Sequence, residues 1–181
     1  MSKATVYQLK ISLADVQPLV WRRVLVMDCS LAKLDAIIQT CMGWQGGHLS
    51  SFEVQGEEYG DDPCGELEME SPRKRKLSQI VQSGIQKFTF TYDFGDNWVH
   101  TVQVEKTLEA EPQVHYPRCV AGGRACPPED CGGPWGYAHL LEVIRDPKHE
   151  EHEEMLEWLG EEFDPDRFQA GEINRQLTGV G

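Results

Sequence analysis

Between residues 87 and 105 the chain spells out two β-strands and the turn that joins them. Lys87-Phe88-Thr89-Phe90-Thr91-Tyr92-Asp93 and Trp98-Val99-His100-Thr101-Val102-Gln103-Val104-Glu105 carry aromatic and β-branched residues on both arms, with Phe94-Gly95-Asp96-Asn97 between them. Such side chains suit a pleated, half-buried surface, and Gly, Asp and Asn suit the reversal. The turn is expected to need a positive φ at or near Gly95. A lone hairpin is marginal in water, so other strands or helices must cover its apolar face.

The rest of the sequence offers both. Tyr7, Leu9, Ile11 and Leu13 alternate with polar residues, and Leu19 to Val26 follows Pro18 as a branched, apolar run, so two further strands are expected. Ser30 stands where an N-cap belongs, Leu31, Leu34, Ile37, Ile38 and Cys41 recur at helical spacing, and Gly43 ends the pattern. His48 to Val54 reads as a strand, Gly56 to Ser71 as a glycine-rich acidic connection, and Ser78 as the cap of a short helix closed by Gly84. Residues 109 to 136 have little periodicity and many prolines and glycines, and a loop of that length in a compact fold is usually functional or disordered. Helices are expected over Tyr137 to Arg145, His149 to Leu159 and Glu172 to Leu177. Strands early and helices late predict an α+β fold: an antiparallel sheet with a hairpin, covered by helices, in a single domain 1–181 with its core at about 5–177.

Charge then restricts the partners. Thirty Asp and Glu against 17 Lys and Arg give a formal net charge of −13. A surface of that sign repels phosphates, so naked DNA is an unlikely partner. The local exception is Arg73-Lys74-Arg75-Lys76, which reads as a solvated loop face or a nucleic-acid or targeting patch. No apolar block resembles a signal peptide or a membrane span, so the chain is expected to be cytoplasmic, without a membrane partner. In that reducing compartment Cys29, Cys41, Cys64, Cys119, Cys126 and Cys131 should be thiols or metal ligands.

The candidate chemistry gathers in the hairpin and the loop that follows it. Asp93 and Asp96 flank the turn, Trp98 and His100 stand on the second arm, and Glu129, Asp130, Trp135 and Tyr137 lie in or just beyond the loop. A loop folded back on the hairpin would bring these groups together as a ligand site, a divalent-ion site or an acid–base pair. Cys119, Cys126 and Cys131 with His115 are zinc-type donors, but six and then four residues separate the cysteines, against two to four in an ordinary knuckle. Buried thiols are the simpler reading, and no cofactor is expected beyond a zinc or other divalent ion at these groups. Other motifs fall short. Asp93-Phe94-Gly95 lacks the phosphate loop of a kinase, His149 and His152 are three apart where a zincin needs four, and Cys29 has no histidine to act as its base. Trp44 and Trp135 are flanked by glycines, as in either a groove or a tight turn.

Three blocks carry a family resemblance. They are Tyr7-Gln8-Leu9-Lys10-Ile11 with Pro18-Leu19-Val20-Trp21-Arg22-Arg23-Val24, Met42-Gly43-Trp44 and His48-Leu49; the hairpin from Tyr92 to His100; and Tyr116-Pro117-Arg118-Cys119 through Cys126-Pro127-Pro128-Glu129-Asp130-Cys131-Gly132-Gly133-Pro134-Trp135-Gly136-Tyr137. Together, from about Tyr7 to Leu177, the chain resembles the family named after the third open reading frame of the Ri plasmid, some of whose members are labelled resolvase-like passengers of mobile elements. The resemblance implies a fold more than an activity. A serine recombinase needs a nucleophilic serine among arginines and a DNA-binding module, and the sequence offers neither. The leading expectation is therefore a non-enzymatic module binding a protein or small molecule through the hairpin at 93–100 and the loop at 116–137. The alternative is a metal-dependent, hydrolase-like enzyme using the same acids, and the third is a nucleic-acid-associated protein of mobile elements.

Overall fold

The computed structural model describes residues 4–63, 65, 67–160 and 163–180; Cys64, read above as a thiol or metal ligand, lies outside them. It contains a seven-stranded sheet in the order β4-β3-β5-β6-β1-β2-β7, with every pairing antiparallel. The strands are β1 (Thr5–Leu13), β2 (Trp21–Met27), β3 (Ser50–Val54), β4 (Glu57–Gly60), β5 (Lys87–Tyr92), β6 (Trp98–Glu109) and β7 (Arg118–Gly123). The helices are α1 (Leu31–Met42), α2 (Leu77–Gln82), α3 (Gly133–Arg145), α4 (His152–Leu159) and α5 (Ala170–Leu177). This is the expected α+β class.

Alternation decides which face is buried. Tyr7, Leu9, Ile11 and Leu13 of β1 point into the core with Phe88, Phe90 and Tyr92 of β5 and Trp98, His100 and Val102 of β6, and Leu31, Leu34, Ile37 and Ile38 of α1 belong to the same apolar cluster. On the other face Arg23 holds Glu105 through two hydrogen bonds of 2.6 and 2.8 Å, and Lys10 lies over the Trp21 ring. The helix signals of α1 act as read: Ser30 Oγ accepts the Lys33 amide, and Gly43 ends the helix at φ 113°. The inward-pointing Arg22 completes that end. Its guanidinium is buried and donates to the Cys41 and Met42 carbonyls, the last of the helix, and to Gly123, where the negative pole of the helix favours a cation.

Several elements depart from the sequence reading. The acidic connection contains β4, because Gln55 and Gly56 take φ 54° and 83° and close a two-residue hairpin from β3. Only Tyr59 and Gly60 of β4 are buried, so no alternation betrayed it. The aperiodic region contains β7, paired with β2, whose glycines are imposed by packing: a Cβ on Gly122 would lie 2.4 Å from the Phe168 ring. α2 starts at Leu77, and Ser78 donates its amide and hydroxyl to Asp28 rather than capping the helix. α3 begins four residues before Tyr137, at Gly133. α4 starts at His152 rather than His149, and α5 at Ala170 rather than Glu172.

Candidate metal centre

The site forms where the end of β5, the approach to β3 and the loop before α3 meet. Asp93 follows β5 in the left-handed region at φ 57°, its amide bonded to the Leu49 carbonyl at 2.9 Å. Its carbonyl accepts the Asn97 amide and its Oδ1 the Gly95 amide, so the carboxylate is fixed by its own turn. The left-handed residues of this turn are Asp93 and Asn97, not Gly95. Both are types that tolerate that conformation.

Oδ2 of Asp93 faces His48 Nδ1 at 3.6 Å. The other imidazole nitrogen, Nε2, lies 3.4 Å from Glu129 Oε2 and 3.4 Å from Asp130 Oδ1. Among the described residues, the group of three donors with metal-like proximity is His48, Asp93 and Asp130, whose ligand atoms all fall within 4.8 Å of one another. Glu129 closes the arrangement from below. Its Oε1 accepts the Gln45 amide at 2.7 Å and the Tyr92 hydroxyl at 3.0 Å, while its buried Oε2 has no hydrogen-bond partner. A buried carboxylate oxygen without a donor is costly unless a cation or proton faces it.

Aromatic side chains hold this cluster from behind. The edge of the His48 imidazole meets Tyr92, and Tyr92 stacks on Trp44 with ring centroids 5.1 Å apart. Burial, then the bond to Glu129, pushes the Tyr92 phenol up to about 12, so it stays protonated and donates to that carboxylate. Trp44 Nε1 donates to His100 Nε2 at 3.1 Å, which leaves the His100 proton on Nδ1, facing the Phe90 carbonyl at 3.1 Å. Complete burial lowers His100 to about 4, which keeps the ring a neutral acceptor.

The other sequence candidates separate into distinct roles. Trp98, His100 and Tyr137 are buried in the core. Asp96 receives the Gly132 amide at 3.1 Å through Oδ2, tying the hairpin turn to the N-terminus of α3. Trp135, in the first turn of α3, is 90% exposed. Cys119, Cys126, Cys131 and His115 do not converge as a metal group. Burial pushes the Cys126 thiol up and Cys131 up to about 12. His115 lines a separate surface depression near α5. The Arg73–Lys76 run is dispersed: Arg73 pairs with Asp61, Lys74 with Glu70, and Arg75 lies over Tyr59. His152 and His149 face backbone groups of the α3–α4 region, and burial raises Cys29 to about 11.

His48 was the residue missed. The sequence placed it at a strand start after Gly46-Gly47, and nothing local marks it as a ligand, because its carboxylates come from 45 and 81 or more positions later. The only signal was its place in the family block with Met42-Gly43-Trp44.

Comparison with known proteins bears on the same residues. Residues 5–172 match the family described as "Plasmid pRiA4b ORF-3-like protein". The chain belongs to this family. "Uncharacterized protein y4hQ" of Sinorhizobium fredii is 36% identical over 98% of this chain and 93% of its own length. The crystal structure of "Protein of Unknown Function MM3350" from Methanosarcina mazei Go1 matches with a TM-score of 0.88 at 39% identity, covering 94% of this chain and 98% of that one. The pRiA4b ORF-3-like fold therefore extends across nearly the whole chain. Among the described residues, no helix is long and apolar enough to cross a membrane.

Proposed function

We propose that this pRiA4b ORF-3-like protein is a binding module whose site holds a divalent transition-metal ion between His48, Asp93 and Asp130, the three donors whose ligand atoms lie within 4.8 Å of one another. Glu129 Oε2, 3.4 Å from His48 Nε2, is then the neighbouring carboxylate that orients the imidazole. One observation carries the reading: a ring nitrogen of His48 and one oxygen each of Asp93 and Asp130 lie within 4.8 Å of one another, beside a buried Glu129 oxygen without a hydrogen-bond donor. Ligands about 2.1 Å from a tetrahedral ion are themselves about 3.4 Å apart. An imidazole with carboxylates suits zinc or manganese better than calcium, and a second carboxylate on the far ring nitrogen is the usual support for a metal-bound histidine. The test is elemental analysis of protein purified without a histidine tag, then calorimetric titration of the EDTA-treated protein with zinc and manganese. One ion per chain, lost in His48→Ala, is expected. Equal binding by that variant would refute the assignment.

Solvent access favours a second reading. Asp130 is 74% exposed, and three protein ligands leave room for a water or substrate in the fourth position, as in hydrolytic centres. Metal-dependent hydrolysis of p-nitrophenyl phosphate or acetate, absent in His48→Ala, would convert the module into an enzyme. Activity equal in that variant would exclude this centre as its source.

A further inference from the structure

Beside the cation centre, α3 and α4 leave a cavity of about 280 Å³. Its floor is apolar, formed by Leu140, Met155 and Trp158, and its rim carries Asp130, Glu151 and Glu154. Glu151 is engaged by His139 at 2.9 Å, but Glu154 has no ion-pair partner among the described residues. Among the described residues, no lysine or arginine lines the cavity.

The helix that forms one wall is itself incompletely packed. None of the residues of α4 is fully buried, and Leu156 and Trp158 are exposed large apolar residues. Exposed apolar surface rimmed by charge of one sign marks an interaction site. Carboxylates above an apolar and aromatic floor match a group with an apolar stem and a cationic head, which is the make-up of an arginine or lysine side chain.

We propose that this groove receives an arginine or lysine side chain from a basic segment of a partner protein, with an apolar neighbour of that residue seated on α4. A free amine would fill the cavity alone. Exposed apolar surface adjoins it at Trp158, which lines the cavity and is half exposed, and at Trp135, one turn before the lining His139 on α3, and only a longer segment covers both. A partner positive in charge also complements a chain of net charge −13. The groove shares Asp130 with the cation centre but needs no metal to receive its ligand.

The experiment is selection from a library of capped hexapeptides, each position fixed in turn, against the tag-free full chain in EDTA. Arginine or lysine next to an apolar residue should be enriched. The selected peptide should bind at least tenfold more weakly to Glu154→Lys, a surface change that leaves the fold intact by circular dichroism. Absence of basic enrichment, or equal binding to Glu154→Lys, would overturn the proposal. Binding of n-butylguanidinium as tight as that of the peptide would also overturn it, by making the ligand a small cation.

Discussion

His48 is bracketed by carboxylates at both ring nitrogens, and each partner should leave a distinct trace when removed. Glu129→Gln keeps an acceptor for the Gln45 amide and the Tyr92 hydroxyl but removes the charge from the buried oxygen. It is expected to weaken zinc or manganese binding at least tenfold with little loss of thermal stability, read by calorimetry and by melting. Asp93→Ala also strips the turn of the acceptor for the Gly95 amide, so it should cost about 1–2 kcal/mol in urea denaturation as well as metal affinity. His100 makes a prediction in pH. Its folded pKa of about 4 lies below the ordinary histidine value of about 6.5, so the unfolded chain binds the extra proton in that window. Stability is full above pH 6.5 and falls as pH drops toward 4, by about 3 kcal/mol in all. His100→Asn should flatten the slope between pH 7 and 5, where the strongly depressed Glu105 carboxyl does not titrate. An unchanged slope would show that another group carries it. At this scale the sequence exposed the acids but not the histidine between them, because Asp93, Glu129 and Asp130 stood in recognisable turn and loop signals while His48 meets them only through the fold.

At the scale of elements, the two glycines of α3 carry the join between loop and hairpin. A Cβ on Gly136 would lie 1.9 Å from the Cys131 carbonyl oxygen, and one on Gly133 2.4 Å from that of Asp96. Gly136→Ala is therefore expected to displace α3 and lower stability by several kcal/mol, beyond the usual cost of a core point change. Gly56→Ala, with open space around its Cβ but φ 83°, should cost only about 1 kcal/mol. Equal losses at both positions would contradict the packing described for α3. The same glycines explain what was illegible. β1, α1 and the β5–β6 hairpin announced themselves through alternation, caps and periodicity. β7 and the first turn of α3 are built from Gly122, Gly123, Gly133 and Gly136, whose requirement is close approach to Phe168, Trp21, Asp96 and Cys131. A local pattern carries no record of such distant neighbours.

Over the whole molecule, the antiparallel sheet makes one continuous support from β4 to β7, and the proposed cation centre sits at the end of its central β5–β6 hairpin. The long-range order is what brings residue 48 to residues 93, 129 and 130. The net charge of −13, with Arg73 and Lys74 already paired to Asp61 and Glu70, predicts no measurable binding to a random duplex at physiological salt by fluorescence anisotropy. Tight binding with a steep salt dependence would contradict that. The central claim concerns one location. An anomalous difference map from crystals of the tag-free protein grown with zinc tests it most directly. The predicted peak lies about 2.1 Å from a ring nitrogen of His48 and from one oxygen each of Asp93 and Asp130. A map empty there, or with its peak among Cys119, Cys126 and Cys131, would contradict the account.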